Sequence, residues 1–190
     1  MEITKTLYVT TKNQWRAWLK THHDSRKEIW LVYYRKDSGK PRIPYNDAVE
    51  EALCFGWIDS ILKKIDKDRF AQRFTPRKPG SQWSAMNKER VRRLVKQGRM
   101  TPAGMSAAVN PGTSRNSNSK AERLVIPPDI LRALKSDRTT WKNFQRFPAS
   151  YKRIRIGWIA AARKRPDTLR QRLHYFLKMT AQNKRFGMVQ

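Results

Sequence analysis

Glu50, Glu51, Cys54, Trp57 and Asp59 stand together in the run EEALCFGWIDS. Two acids beside an indole can polarise a ligand hydroxyl or amine, and either Glu51 or Asp59 has the chemistry of a general base. A helix continued from Asp47 to Asp59 would put Glu50, Cys54 and Trp57 one turn apart on a single face, with Glu51 beside them. The plainer alternative is that carboxylates in the first helical turn only favour its dipole. Cys54 is the only cysteine, so no internal disulfide forms. As a nucleophile it would need a base, and His22, His23 and His174 all lie outside the run. A buried structural thiol is the expectation. There is no cysteine pair, and His22 and His23 are adjacent rather than one helical turn apart, so neither a metal nor a cofactor is expected. No glycine-rich phosphate loop is present.

A second constellation follows at Thr75-Pro76-Arg77-Lys78-Pro79-Gly80-Ser81. Proline stiffens the chain, and Arg77 presents a fork that fits a carboxylate or phosphate. Trp83, Ser84 and Asn87 come next, where helix-start amides favour an anion and Ser84 is an ordinary cap. Read together, Glu50, Glu51, Cys54, Trp57, Asp59, Arg73, Thr75, Arg77, Ser81, Trp83 and Asn87 are the candidate ligand-binding set. The acids are expected to face Arg73 and Arg77 across a helix–sheet contact.

The elements that would position them follow from periodicity. Leu7 to Val9 is strand-like. Thr11 can cap a helix with Trp15, Trp18 and Leu19 on its inner stripe. Glu28 to Tyr34 is β-branched and aromatic and reads as a buried strand. Asn46 or Asp47 would cap a helix running to about Gly56. Ile58 to Lys67 and Arg69 to Thr75 alternate with period two around an Asp66-Lys67-Asp68 turn, and with residues 28–36 would form a small antiparallel sheet. Ser84 begins a helix stopped by Gly98, and Thr101-Pro102 opens another. Residues 110–121 are polar and read as a loop or linker, mobile and dispensable for folding over Asn110 to Lys120. Helices are expected over Pro128 to Lys135, Asp137 to Phe147, Ala149 to Arg165 and Asp167 to about Lys184.

Charge is placed unevenly. Residues 1–68 carry 13 Lys and Arg against 10 Asp and Glu, whereas residues 69–190 carry 29 against 5, within a formal net charge of +27. Solubility alone does not need so one-sided an excess, and self-repulsion opposes compactness. A polyanion contact explains it better, through Arg153, Arg155, Arg163, Lys164, Arg165, Arg170, Arg172 and Lys178. No zinc finger, RNP pattern or GXXG loop accompanies them, so nucleic acid or another polyanion is expected with low specificity. No apolar run reaches about 18 residues. The first residues lack a signal-peptide pattern. A cytoplasmic protein is expected.

The blocks AVEEALCFGWIDS, QRFTPRKPGSQWSAMN, RLVKQGRMTPAGM and WIAAARKR with TLRQRL resemble the YdeI/OmpD-associated proteins, also labelled bacteriocin-protection proteins, from about Trp15 to Gly187. The resemblance implies a small bacterial protein, some of whose relatives are linked to resistance against cationic antimicrobial peptides. It carries over no catalytic residue. The expected fold is α+β: a core over residues 1–109, a loop over 110–121, and a basic helical part over 122–190. A non-enzymatic binding or stress-response protein is the first expectation. A hydrolase-like enzyme using Glu51 or Asp59, and a polyanion-associated protein, are the alternatives.

Overall fold

The computed structural model describes residues 2–108 and 124–187. The expected polar loop, with its Asn110–Lys120 stretch, lies outside the described residues. Contacts divide the chain into two units, residues 1–82 with 90–115 and residues 83–89 with 116–190. The architecture is α+β, with one four-stranded sheet and the helices of the C-terminal part.

The first unit opens with β1 (Thr6–Tyr8) and α1 (Lys12–His22). Thr11 caps α1 in a capping box with Gln14, so two orphan amides are satisfied. The spacing of Trp15 and Leu19 then buries one stripe completely. β2 (Ile29–Tyr34), α2 (Tyr45–Cys54), β3 (Trp57–Lys64) and β4 (Arg69–Pro76) follow. The later part of α3 (Ala85–Lys96) and α4 (Pro102–Ala108) complete this unit.

The sheet order is β1-β2-β4-β3. β4 pairs antiparallel with β2 and β3, as the alternation predicts. β1 pairs parallel to β2, so the sheet is mixed rather than antiparallel. The reason is α1, which supplies the crossover that parallel neighbours require. Opposed residues share a face of the sheet. Ile29, Leu31 and Tyr33 therefore lie with Phe74, Gln72 and Phe70, and Trp30 with Arg73. Trp15 meets Phe74 edge-on at 5.4 Å, which packs α1 on the Phe74 face. Its indole Nε1 donates to the Ala48 carbonyl oxygen at 3.0 Å and thereby ties α1 to α2.

Both ends of α2 differ from expectation. α2 begins at Tyr45 behind Pro44, because Asn46 is engaged by Arg90 and does not cap. It ends at Cys54, since Gly56 turns the chain at φ +76° into β3, and Trp57 falls on a strand. α4 then docks closely on the end of α2. Thr101 donates its amide and hydroxyl to the Cys54 carbonyl oxygen, at 3.0 and 2.7 Å. Gly104 is required there: a Cβ would lie 2.6 Å from the Cys54 carbonyl carbon.

The second unit contains α5 (Pro128–Lys135), α6 (Arg138–Arg146), α7 (Ala149–Ala160) and α8 (Pro166–Ala181). Its core is Ile130, Leu134, Phe144, Phe147, Tyr151, Ile156, Ile159 and Phe176. Asp137 caps α6 by accepting from the Thr140 amide at 2.6 Å. Asn143 on α6 donates to the Thr180 and Ala181 carbonyl oxygens at 3.0 and 3.1 Å, satisfying the end of α8. α7 stops at Ala160 rather than Arg165. The residue before a proline is steered away from helical geometry, and Arg165 sits at φ −131°, ψ 86° ahead of Pro166.

Trp15→Ala removes a fully buried indole that contacts both α2 and the sheet. Urea unfolding should show a loss of about 3–5 kcal/mol; a loss under about 1 kcal/mol would mean that α1 does not anchor the first unit.

Candidate functional site

The paired glutamates of α2 are drawn inward, toward arginines other than those expected. Glu51 is 2% exposed. Arg16 of α1 donates to its Oε2 at 2.7 Å, and Arg99, just after α3, donates to its Oε1 at 2.5 Å. Arg16 also donates to the Arg99 carbonyl oxygen at 3.2 Å and lies over the Phe55 ring. Glu50 forms a close ion pair with Arg93 and a looser one with Arg99 at 3.5 Å. Both carboxylates are thus shared among three arginines. Each charge-assisted bond of this kind occupies a lone pair of the carboxylate.

Cys54 is fully buried below this network. Burial first, and the Glu51 charge second, push its thiol pKa above the ordinary cysteine value, and they outweigh Arg16 and Arg99. A raised thiol is a poor nucleophile. Glu51 likewise holds the Arg16 guanidinium more firmly charged.

The other expected residues are dispersed. Trp57 is buried and donates from Nε1 to the His23 carbonyl oxygen at 3.0 Å. Asp59 accepts from the Tyr45 hydroxyl at 2.7 Å; burial first and that bond second push the Tyr45 phenol up to about 12. Arg73 pairs with Glu28, its Nε donating at 2.6 Å. The Thr4 hydroxyl and then Arg73 hold the Glu28 carboxyl below its ordinary range. Arg77 donates to the Ser81 and Gln82 carbonyl oxygens at 3.1 and 2.7 Å, bracing its own loop. The expected facing of Glu50, Glu51 and Asp59 against Arg73 and Arg77 is therefore corrected: each acid has a nearer partner. Arg73 and Thr75 do line an open cleft of about 580 Å³ with Asp24, Arg26, Lys27 and Lys78. Ser84 caps α3 by accepting from the Asn87 amide at 3.2 Å. Trp83 and Asn87 cluster with the second unit.

The partners Arg16, Arg93 and Arg99 were not legible as such. They lie 35, 43 and 48 residues from the acids they meet, and an arginine that closes an ion pair has no local pattern to distinguish it from a solvated one.

In the second unit the eight expected polyanion-binding cations separate by environment. Lys164, Arg165 and Lys178 are exposed. Arg163 and Arg170 are also exposed, in surface pairs with Asp129 at 2.8 Å and Asp167 at 2.5 Å. Such pairs hold little energy and exchange readily. Arg153 is engaged with Glu89. Arg172 is half-buried, stacks on Trp158 and donates to its carbonyl oxygen at 2.6 Å. Arg155 is 4% exposed and is no surface contact, which corrects its place in the set. Tyr151, Arg155 and Trp158 recur at helical spacing, a sign in the sequence that Arg155 lies on an apolar face.

Residues 7–107, just over half of the chain, match the family described as a domain of unknown function (DUF8412). Residues 123–183 match the family described as bacteriocin-protection, YdeI or OmpD-associated. The chain belongs to the first of these families and carries a domain of the second. The YdeI/OmpD-associated part takes in helices α5 to α8. The acid–arginine network and the cleft fall in the domain of unknown function, together with the motif blocks from Ala48 to Met105. Neither the curated proteins nor the solved structures contain a match to the chain. No helix among the described residues is long and apolar enough to cross a membrane.

Two outcomes test the network. Glu51→Gln removes the charge that three elements share, and urea unfolding should register a loss of about 3 kcal/mol; an unchanged midpoint would show the network to be dispensable. Cys54 should resist iodoacetamide in the native protein at neutral pH and react promptly once unfolded. Rapid native alkylation would contradict a buried, raised thiol.

Proposed function

We propose that this YdeI/OmpD-associated protein is a non-catalytic binding protein whose partner is a polyanion, nucleic acid foremost, held by its C-terminal domain in the cytoplasm. One observation carries the reading: residues 124–187 contain sixteen Lys and Arg against three Asp and no Glu. Three carboxylates cannot answer sixteen cations, and one of the three, Asp137, is engaged as a helix cap. The surplus positive charge repels itself unless an outside partner supplies phosphates. Of the two candidate bases, Glu51 is held by two arginines and Asp59 accepts from the Tyr45 hydroxyl, which favours binding over hydrolysis.

The family description speaks of bacteriocin protection. Direct capture of a cationic peptide by a chain of net charge +27 works against Coulomb repulsion. In this reading a protective role runs through the polyanion instead.

Fluorescence anisotropy with labelled single- and double-stranded oligonucleotides tests the proposal. Binding should be sequence-tolerant, and with about six phosphate contacts it should weaken roughly 10³-fold between about 50 and 200 mM salt. No binding at the low-salt end would overturn it.

A further inference from the structure

Arg155 lies on α7 within the YdeI/OmpD-associated domain, 4% exposed. Its Nε and Nη2 are buried, and neither has a hydrogen-bond partner among the described residues. Three rings surround the guanidinium: Phe186 at 4.5 Å, Tyr151 at 5.4 Å and Trp158 at 5.8 Å from Cζ to the ring centroid. Ring faces attract the charge but supply no oxygen to the N–H groups. Burial lowers the Arg155 pKa, and the one group acting to raise it is the Tyr151 phenol, not a carboxylate. A charge removed from water without a counter-ion is costly, and a buried donor without an acceptor calls for an explanation.

The identity of the two empty donors narrows that explanation. Nε and Nη2 form the side edge of a guanidinium that docks two oxygens at once. This chain uses the same edge elsewhere. Arg153, two residues earlier on the same helix, grips Glu89 through its Nε and Nη2. Arg69 and Arg73 address Asp66 and Glu28 through the same pair of nitrogens. At Arg155 the edge is present and buried, and among the described residues no oxyanion faces it.

The cover over Arg155 is thin. Phe186 belongs to the coil after α8 and is half-buried, while Gly187 is exposed. Gly187 passes so close that a Cβ there would lie 3.0 Å from Cζ of Arg155. The coil is fastened to Tyr151, whose hydroxyl oxygen accepts from the Phe186 amide at 3.3 Å. Tyr175, 45% exposed, meets the Phe186 ring at 4.7 Å, and Arg172 stacks on the Trp158 indole at 4.7 Å. A second cation and an exposed ring therefore stand beside the caged one.

We infer that Arg155 is the seat of a single oxyanion, a phosphate group, received side-on by Nε and Nη2 once the coil 184–187 gives way, with Tyr151, Trp158 and Phe186 as its apolar walls. This seat is distinct from the exposed cations that would hold a polyanion, and it stands if those bind nothing. A free small molecule and a nucleic-acid backbone offer the same phosphate, and the chemistry at Arg155 is the same for both.

The test uses the full chain, labelled with 15N, and follows the arginine Nε–Hε signals by NMR. Arg155 is identified by the signal missing from the Arg155→Met variant, and inorganic phosphate is titrated against chloride at matched ionic strength. The Arg155 signal should move saturably, while the signals of Arg163 and Arg170 drift without saturation. If the Arg155 signal stays still, or drifts with the others, the inference is overturned. A second arm measures Tm. Phosphate should raise Tm above chloride in the wild type, and Arg155→Met should lose most of that difference; a variant that keeps it in full also overturns the seat. A dT oligonucleotide separates the sources. Movement of the Arg155 signal at lower phosphate-group concentration with the oligonucleotide assigns the seat to a backbone phosphate, and the reverse order assigns it to a small molecule. Oligonucleotide binding seen by anisotropy with an unmoved Arg155 signal would leave the polyanion reading standing and remove this one alone.

Discussion

The first unit depends on one buried carboxylate. Glu51 sits on α2, and the two guanidiniums that answer it come from α1 and from the turn after α3. Three stretches distant in sequence are thereby fixed to one point. An ion pair in the interior is weak evidence of stability, because desolvation cancels much of the attraction. Each alternative packing of α1 or of the α3–α4 turn would leave a buried charge unanswered, and that is far more costly than a missed apolar contact. The indole of Trp15 reinforces the same junction through the Ala48 carbonyl oxygen, so apolar burial and polar matching select one arrangement.

This use of the acids shapes the chemistry left to the molecule. Glu50 and Glu51 are already bonded to arginine, and the cysteine beneath them is shielded and raised. The glutamates and the cysteine of the EEALCFGWID run are thus taken up by ion pairing and burial. The charge that is not absorbed lies in the helical C-terminal unit. Its few carboxylates serve a cap or pair locally, and over residues 124–187 its cations outnumber them sixteen to three.

The elements were legible in the sequence and the pairings were not. The alternation of Phe70, Gln72 and Phe74 gave β4, and Thr11 with the Trp15–Leu19 spacing gave α1, because each is a local consequence of backbone geometry. Proline placed the start of α4 at Pro102 for the same reason. The expected α+β class follows from such signals. The parallel pairing of β1, the inward turn of Glu51 toward Arg16, and the cage around Arg155 depend on residues brought together by the whole fold. Only the Tyr151–Arg155–Trp158 spacing left a local trace, since a guanidinium on an aromatic stripe stands out from a solvated face. The EEALCFGWID set was read as one helical face, and a single glycine at Gly56 undid that reading by sending Trp57 onto a strand.

The division of contacts inside α3 bears on how this chain can be cut. Residues 83–89 cluster with the C-terminal unit although they precede the last part of the N-terminal one, so the polypeptide passes between the units more than once. A fragment begun after residue 108 would forfeit Glu89, the partner of Arg153, and Ala85, which lies against Gly157. The two family matches, 7–107 and 123–183, are contiguous blocks, whereas the packed units are interleaved. The piece that is copied as a module and the piece that folds as one do not share their borders here, and an expression boundary drawn from sequence similarity would cut through the second.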